Sequence, residues 1–458
     1  INKRTPRHYK YNSRNVKISK EKIVCTMSSK IFLVLIILLV SFFLRFHNYT
    51  VYPQRGATSD EYTYSFLGVS LLTKGVPISW SHFDYPEKRL ITMHDIVFPI
   101  VSPYFDHPPL FGLLVGGFSL LFGQSSFEKI DLATIRLVPL FLSLISSILL
   151  FLIAQKLYTY KVAVWALLIY STATVFVMNS RVVVSETLLT PLLLGALSLF
   201  IYSKNITTKK AIVLGVLAGL ALLTKVLGIA VFLILLFLLV IHKAKVKVLA
   251  TGGVVFLFIV GTLLLYAVYF DWNLFWQIQK AQGARETGPQ TLWLLLRDAT
   301  IVNKTFTDGW YFFGFMALFF LFSDYRKHLF IIVPSFIYLT LLLLTLTRYG
   351  HSGWYMIPLF PFMSIAIAYV LAESLKKESW LFLIFLLFIG MTEIGFIYEG
   401  AFGLNNLVYR LLTVILVVPF FVAMLVRRDD WFRFLENLWF YLFILGNVFL
   451  TYTYIHPS

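Results

Sequence analysis

Apolar residues in this chain gather in long uninterrupted runs, without the alternation that marks half-buried strands. The runs cover 31–46, 134–154, 162–178, 187–202, 211–241, 248–270, 310–322, 329–346, 355–371, 380–397, 407–426 and 438–454. Most come close to the ~20 residues that carry a helix across a bilayer, so they predict membrane-spanning helices. Run 211–241 is too long for one straight span and holds Thr224-Lys225 at its middle, which predicts a hairpin turning at Lys225. A shorter stretch, 110–123, has 14 residues, four of them glycine, and is expected to lie along the outer surface. Its Gly112, Gly116 and Gly117 suit either close approach of backbone to a ligand or a loosely packed interfacial helix.

Charge sets the orientation. Residues 1–30 carry nine Lys/Arg and a single acid, Glu21, ahead of the first run, which marks that end as cytoplasmic. With thirteen spans counted from there, the cytoplasmic segments hold 24 Lys/Arg and 7 Asp/Glu, and the remainder holds 15 of each. The net charge of +17 is then wholly cytoplasmic, and no nucleic-acid partner is needed to explain it. Composition agrees: 59% of the 458 residues are hydrophobic and 13% charged, against about 25% charged in a soluble domain. One cysteine, Cys25, rules out a disulfide scaffold. The expectation is an all-α polytopic membrane protein in the plasma membrane with about 13 transmembrane helices. A basic cytoplasmic tail (1–30) leads into a membrane domain (31–375), and C-terminal transmembrane helices (376–458) follow. A large first extracytoplasmic loop, 47–133, bears juxtamembrane helices, and a second long external segment covers 271–309.

On this topology the notable polar residues collect on the external side. They are Asp60-Glu61, Asp106-His107 before Pro108-Pro109, Arg181 and Glu186, Lys225 at the hairpin tip, and Arg348, His351 and Tyr355 between two late spans. Ionisable residues at membrane depth are costly and usually functional. Plainer roles exist for each. Asp60-Glu61 also fits a solvated loop start. Asp106 is expected both to cap the helix after the proline pair and to face the site. Arg181 and Glu186 suit a structural ion pair, and Lys225 requires an anionic partner or water.

This order of features resembles the GT-C glycosyltransferases of the protein O-mannosyltransferase and lipid A aminoarabinose transferase type. The resemblance rests on Asp60-Glu61, Asp106-His107-Pro108-Pro109, Arg136-Leu137-Val138-Pro139, Arg181/Glu186, Leu223-Thr224-Lys225 and Tyr355-Met356-Ile357-Pro358, over roughly residues 30 to 375. It departs from the family where Glu186 stands in place of an aspartate common in relatives, and where no lysine follows the proline pair. It implies a GT-C-type fold and inverting sugar transfer from a polyprenyl-phosphate donor to an acceptor hydroxyl on the extracytoplasmic face. The acceptor is a glycan, lipid or protein. Asp60 is then the general base, with Glu61 orienting either it or the acceptor. Asp106, His107, Arg181, Glu186, Lys225, Arg348, His351 and Tyr355 are the donor phosphate and sugar contacts. No cofactor is required beyond the lipid-linked donor; a divalent metal, if one binds, would take Asp106 and His107. The competing reading is a multi-span transporter or flippase of lipid-linked sugars, which shares broken helices and buried charges. The clustering of polar residues at one face argues against it, because transporter sites lie near the midplane.

Overall fold

The structure is a computed structural model that describes residues 13–54, 58–297, 299–348, 352–374, 379–403, 405–426 and 429–455. Every apolar run becomes helix. In chain order the helices are α1 (Ser13–Phe46), α2 (Asp60–Lys74), α3 (Leu110–Leu121), α4 (Leu132–Ile135), α5 (Leu137–Leu157), α6 (Tyr160–Thr172) and α7 (Thr174–Asn179). Next come α8 (Glu186–Ile201), α9 (Thr208–Thr224), α10 (Ile229–Ile241), α11 (Val246–Phe270), α12 (Trp272–Gly283) and α13 (Gln290–Arg297). The remainder are α14 (Gly309–Phe320), α15 (Leu329–Thr345), α16 (Phe360–Tyr369), α17 (Ser379–Phe385), α18 (Met391–Phe402), α19 (Asn406–Val426) and α20 (Asp429–Thr453).

Five stretches, beginning with residues 29–46 of α1, are long and apolar enough to cross a membrane, and shorter apolar helices accompany them. Rows of large apolar side chains on α11 (Leu257, Phe258, Leu265) and α19 (Leu411, Val414, Ile415) point outward. Such faces are stable only against lipid, so the chain is a membrane protein. At the centre α6 and α7 are buried along almost their whole length.

Two features differ from the expectation and one agrees with it. The run 162–178 is two helices, because Ala173 turns to an extended ψ of 124° between α6 and α7. The hairpin forms as expected: Lys225 is extended (φ −157°, ψ 143°) and ends α9, and α10 returns beside it. The long segments are also not purely helical. Strands β1 (Ser79–Trp80), β2 (Arg89–Met93) and β3 (Ile96–Val101) form an antiparallel sheet in the order β1-β3-β2, and β4 (Thr300–Ile301) pairs with β5 (Lys304–Thr305). His94 and Asp95 both have positive φ (52° and 63°), the requirement of the tight turn that joins β2 to β3 with Met93 opposite Ile96.

Helices α2 and α3 pack almost backbone to backbone. A methyl group on Gly68 would strike the carbonyl of Gly112, and one on Gly116 would strike the backbone of Gly68 and Val69. Two of the glycines expected to face a ligand, or to loosen a surface helix, instead let α3 press against α2. That contact, with the sheet folded over it, holds the start of α2 in place.

Candidate active site

Asp60 is the first residue of α2, where the exposed backbone amides of a helix start favour a carboxylate. Burial pushes its carboxyl up to about 6; Lys225 and Arg285 pull it down, and Glu186 and Glu61 push it up. Charges from three elements distant in sequence, Glu186, Lys225 and Arg285, therefore act on Asp60. Asp106 lies in the turn between β3 and α3. Its Oδ2 accepts a hydrogen bond from Ser81 Oγ (2.6 Å), and its Oδ1 accepts one from Tyr85 OH (2.8 Å). Burial raises its carboxyl to about 6 as well, against the pull of those two hydroxyls. The expected cap is not formed, since Pro109 holds the N-cap position of α3 with no side-chain cap and both Asp106 oxygens are engaged elsewhere. His107 stacks on Tyr64, ring centres 4.9 Å apart. Burial, then Lys225, Arg285 and His82, drive its pKa down to about 3, so the imidazole is neutral.

Lys225 finds the anionic partner it requires in Glu186, the first residue of α8. Ser185 Oγ donates to Glu186 Oε2 (3.2 Å) and lies 3.0 Å from Tyr64 OH. The Lys225 ammonium also sits 4.5 Å from the centre of the Tyr355 ring. Beside this pair opens a cavity of about 270 Å³ lined by Asp106, His107, Lys225, Gln282, Arg285 and Tyr355, with Val226, Leu227, Leu344 and Leu346 as an apolar wall.

Other predicted residues point elsewhere. Glu61 is fully buried and clamped by Arg136, Nε to Oε1 and Nη2 to Oε2 both at 2.8 Å, while Val183 N–H donates to Oε1 (3.1 Å). Arg136 Nη1 donates in addition to the carbonyls of Tyr49 and Pro53. Arg181 does not pair with Glu186; it donates to the carbonyls of Leu44 and Tyr52, so it secures the connection from α1 to α2. Arg348 pairs with Glu286 and is not part of the cavity wall. His351 lies outside the described residues.

Arg285 was missed by sequence reasoning. It follows α12, lines the cavity, acts electrostatically on Asp60, Asp106 and His107, and stacks over Phe83 at 5.2 Å. Gln279 and Gln282 of α12 donate to the carbonyls of Phe105 and Asp106 (2.9 and 2.6 Å), which ties the two long segments together. The signal available in the sequence was the position of Arg285 in the second long external segment, 271–309. Among the described residues no group of three or more His, Cys, Asp or Glu is arranged to hold a metal ion. At the suggested site Asp106 already accepts two hydroxyl bonds, and Lys225 and Arg285 act on His107 as nearby positive charges.

The architecture is the GT-C fold, and the chain resembles membrane glycosyltransferases of the protein O-mannosyltransferase and ArnT kind. Residues 106–269 match the family described as dolichyl-phosphate-mannose-protein mannosyltransferase, a stretch from Asp106 through Lys225 to the end of α11. Among solved structures, ArnT from Cupriavidus metallidurans bound to undecaprenyl phosphate superimposes with a TM-score of 0.56 and 17% identity, over 92% of this chain and 77% of that one. Its apo form gives 0.52 at 16% identity, over 93% and 78%. The Archaeoglobus fulgidus oligosaccharyltransferase in its apo form gives 0.52 at 13% identity; 94% of this chain matches 56% of that longer one. No curated protein matches the chain.

Proposed function

We propose that this protein is an integral-membrane glycosyltransferase that moves a sugar from a polyprenyl-phosphate donor to an acceptor hydroxyl, with inversion, on the extracytoplasmic face of the plasma membrane, its N-terminus cytoplasmic. The observation that carries the reading is the cavity itself. Asp106 stands there with two cations, Lys225 and Arg285, beside an apolar wall, and the same two cations act electrostatically on Asp60, whose carboxyl burial also raises. The undecaprenyl phosphate in the ArnT structure supports a lipid phosphate as the ligand of such a site.

In this mechanism the acceptor oxygen attacks the anomeric carbon, and the bond from that carbon to the phosphate oxygen breaks on the opposite face. Asp60, ionised at neutral pH, takes the hydroxyl proton. The polyprenyl phosphate leaves without protonation, and its growing negative charge is met by Lys225 and Arg285. Glu186 holds Lys225 in place. Asp106 and neutral His107 contact the sugar, Tyr355 flanks the phosphate, and the wall Val226, Leu227, Leu344 and Leu346 receives the start of the lipid tail. Glu61, Arg181 and Arg348 support this arrangement from behind.

The test uses membranes with wild type or Asp60→Asn, a panel of radiolabelled polyprenyl-phosphate sugars, and host extract as acceptor. Label should leave the lipid fraction with wild type and stay there with the variant at equal protein level. Transfer that survives the substitution would remove Asp60 from the role of base.

A further inference from the structure

A second cavity lies at the other end of α2, away from Asp60. Fourteen residues at 1.5 Å each place Lys74 about 20 Å along the helix axis from Asp60, so the two sites are distinct. This cleft, of about 360 Å³, opens between the end of α2 and the inner face of the β2–β3 hairpin. Its rim carries Lys74, Lys88 and Arg89 against one acid, Glu87, and its floor is apolar, with Phe66, Ile91 and Ile100. Lys88 is within 3.4 Å of the exposed Asp84. Among the described residues neither Lys74 nor Arg89 makes an ion pair, and both are exposed.

The surroundings point to the occupant. Helices α2 and α3 run side by side in the same direction, Gly68 against Gly112 and Gly116, and Leu72 beside Gly117. Their C-terminal ends therefore lie together. There Leu72 is 52% exposed, Leu121 81% and Phe122 58%, next to the basic rim. In a membrane protein a cluster of large exposed apolar side chains beside cations that make no ion pair, Lys74 lying only over the Phe66 ring at 5.9 Å, matches the boundary between acyl chains and head groups. A soluble anion would use the cations and leave the apolar residues without a role.

We propose that this cleft binds the phosphate of an anionic phospholipid head group, with Lys74 and Arg89 as its ligands and Leu72, Leu121 and Phe122 against the acyl chains. The inference does not depend on sugar transfer, because none of these residues lines the catalytic cavity.

The full-length protein in neutral detergent would be exposed to equal phosphatidylglycerol and phosphatidylcholine, and retained lipid counted by native mass spectrometry. Wild type should retain phosphatidylglycerol preferentially. Lys74→Gln/Arg89→Gln should lower that preference roughly thirtyfold, from two juxtamembrane cations. Lys204→Gln/Lys209→Gln, a control in the α8–α9 loop and the first turn of α9, should leave it unchanged. Inorganic phosphate at millimolar concentration should not displace the lipid. Equal retention of both lipids, equal loss in both double variants, or displacement by inorganic phosphate would each overturn the proposal, the last assigning the cleft to a soluble phosphate compound. All four positions are exposed, and Arg89→Lys, which keeps the charge, should retain binding if folding is intact.

Discussion

The clamp between Glu61 and Arg136 separates a structural from a chemical role for the second residue of the acidic pair. Arg136→Met removes two charge-assisted hydrogen bonds to Glu61 and two more to the carbonyls of Tyr49 and Pro53, and strands a buried carboxylate. Breaking a buried pair from one side costs about 3–5 kcal/mol. Glu61→Leu strands the guanidinium instead and should cost a similar amount, whereas the double variant leaves neither charge unpaired. The double variant is therefore expected to be more stable than either single by about 2 kcal/mol or more, since residues in contact are strongly non-additive. Thermal unfolding of the detergent-purified proteins reads this directly, with transfer activity measured on the same samples. Glu61→Gln retains an oxygen for the Val183 amide and should lose activity only in proportion to its loss of folded protein. If Glu61→Gln abolished transfer at an unchanged melting temperature, or if the two singles and the double were simply additive, the structural reading of Glu61 would be wrong.

Further expectations concern the cavity and its scaffold. Because Asp60 must be ionised to accept a proton and its carboxyl is raised to about 6, transfer should fall as pH drops below about 6. Arg285→Gln removes a cation that lowers this pKa, so the acid limb should move to higher pH; a limb that stays put would deny the electrostatic coupling. Lys225→Met leaves Glu186 buried without its cation and should both destabilise the protein by about 3–5 kcal/mol and depress transfer. Adding Glu186→Leu should recover the stability but not the activity, as unfolding and transfer assays would show. Gly116→Ala drives a methyl group into the backbone of α2 and should cost about 1–3 kcal/mol in thermal unfolding, in contrast to Gly261→Ala on α11, where an added methyl group meets nothing.

Much of the architecture was legible before any coordinates. Hydropathy located the helices, and the excess length of run 211–241, with Thr224-Lys225 at its middle, placed the hairpin at Lys225. Less of the site was legible. Asp60, Asp106, His107, Lys225, Glu186 and Tyr355 do converge, but the pairing of Arg181 with Glu186, read from a spacing of five residues, did not form. A spacing shows which charges lie near each other along the chain, not which way a side chain turns at a helix break. The β2–β3 hairpin was hidden for a related reason: its turn residues, His94-Asp95, reach positive φ without the glycine that usually announces such a turn.

The sequence alone determined that this chain lives in a membrane and roughly where its helices lie, because burying apolar surface and satisfying backbone hydrogen bonds are local demands at each segment. The expected side of the membrane for its polar residues also followed from local counts of lysine and arginine. Tertiary structure decided which charges meet. It gave Glu61 to Arg136, Glu186 to Lys225 and Glu286 to Arg348, and it brought Arg285 to the cavity. The cost of isolating a charge in a low-dielectric interior is met only when distant segments pack together, and that packing is a property of the whole fold.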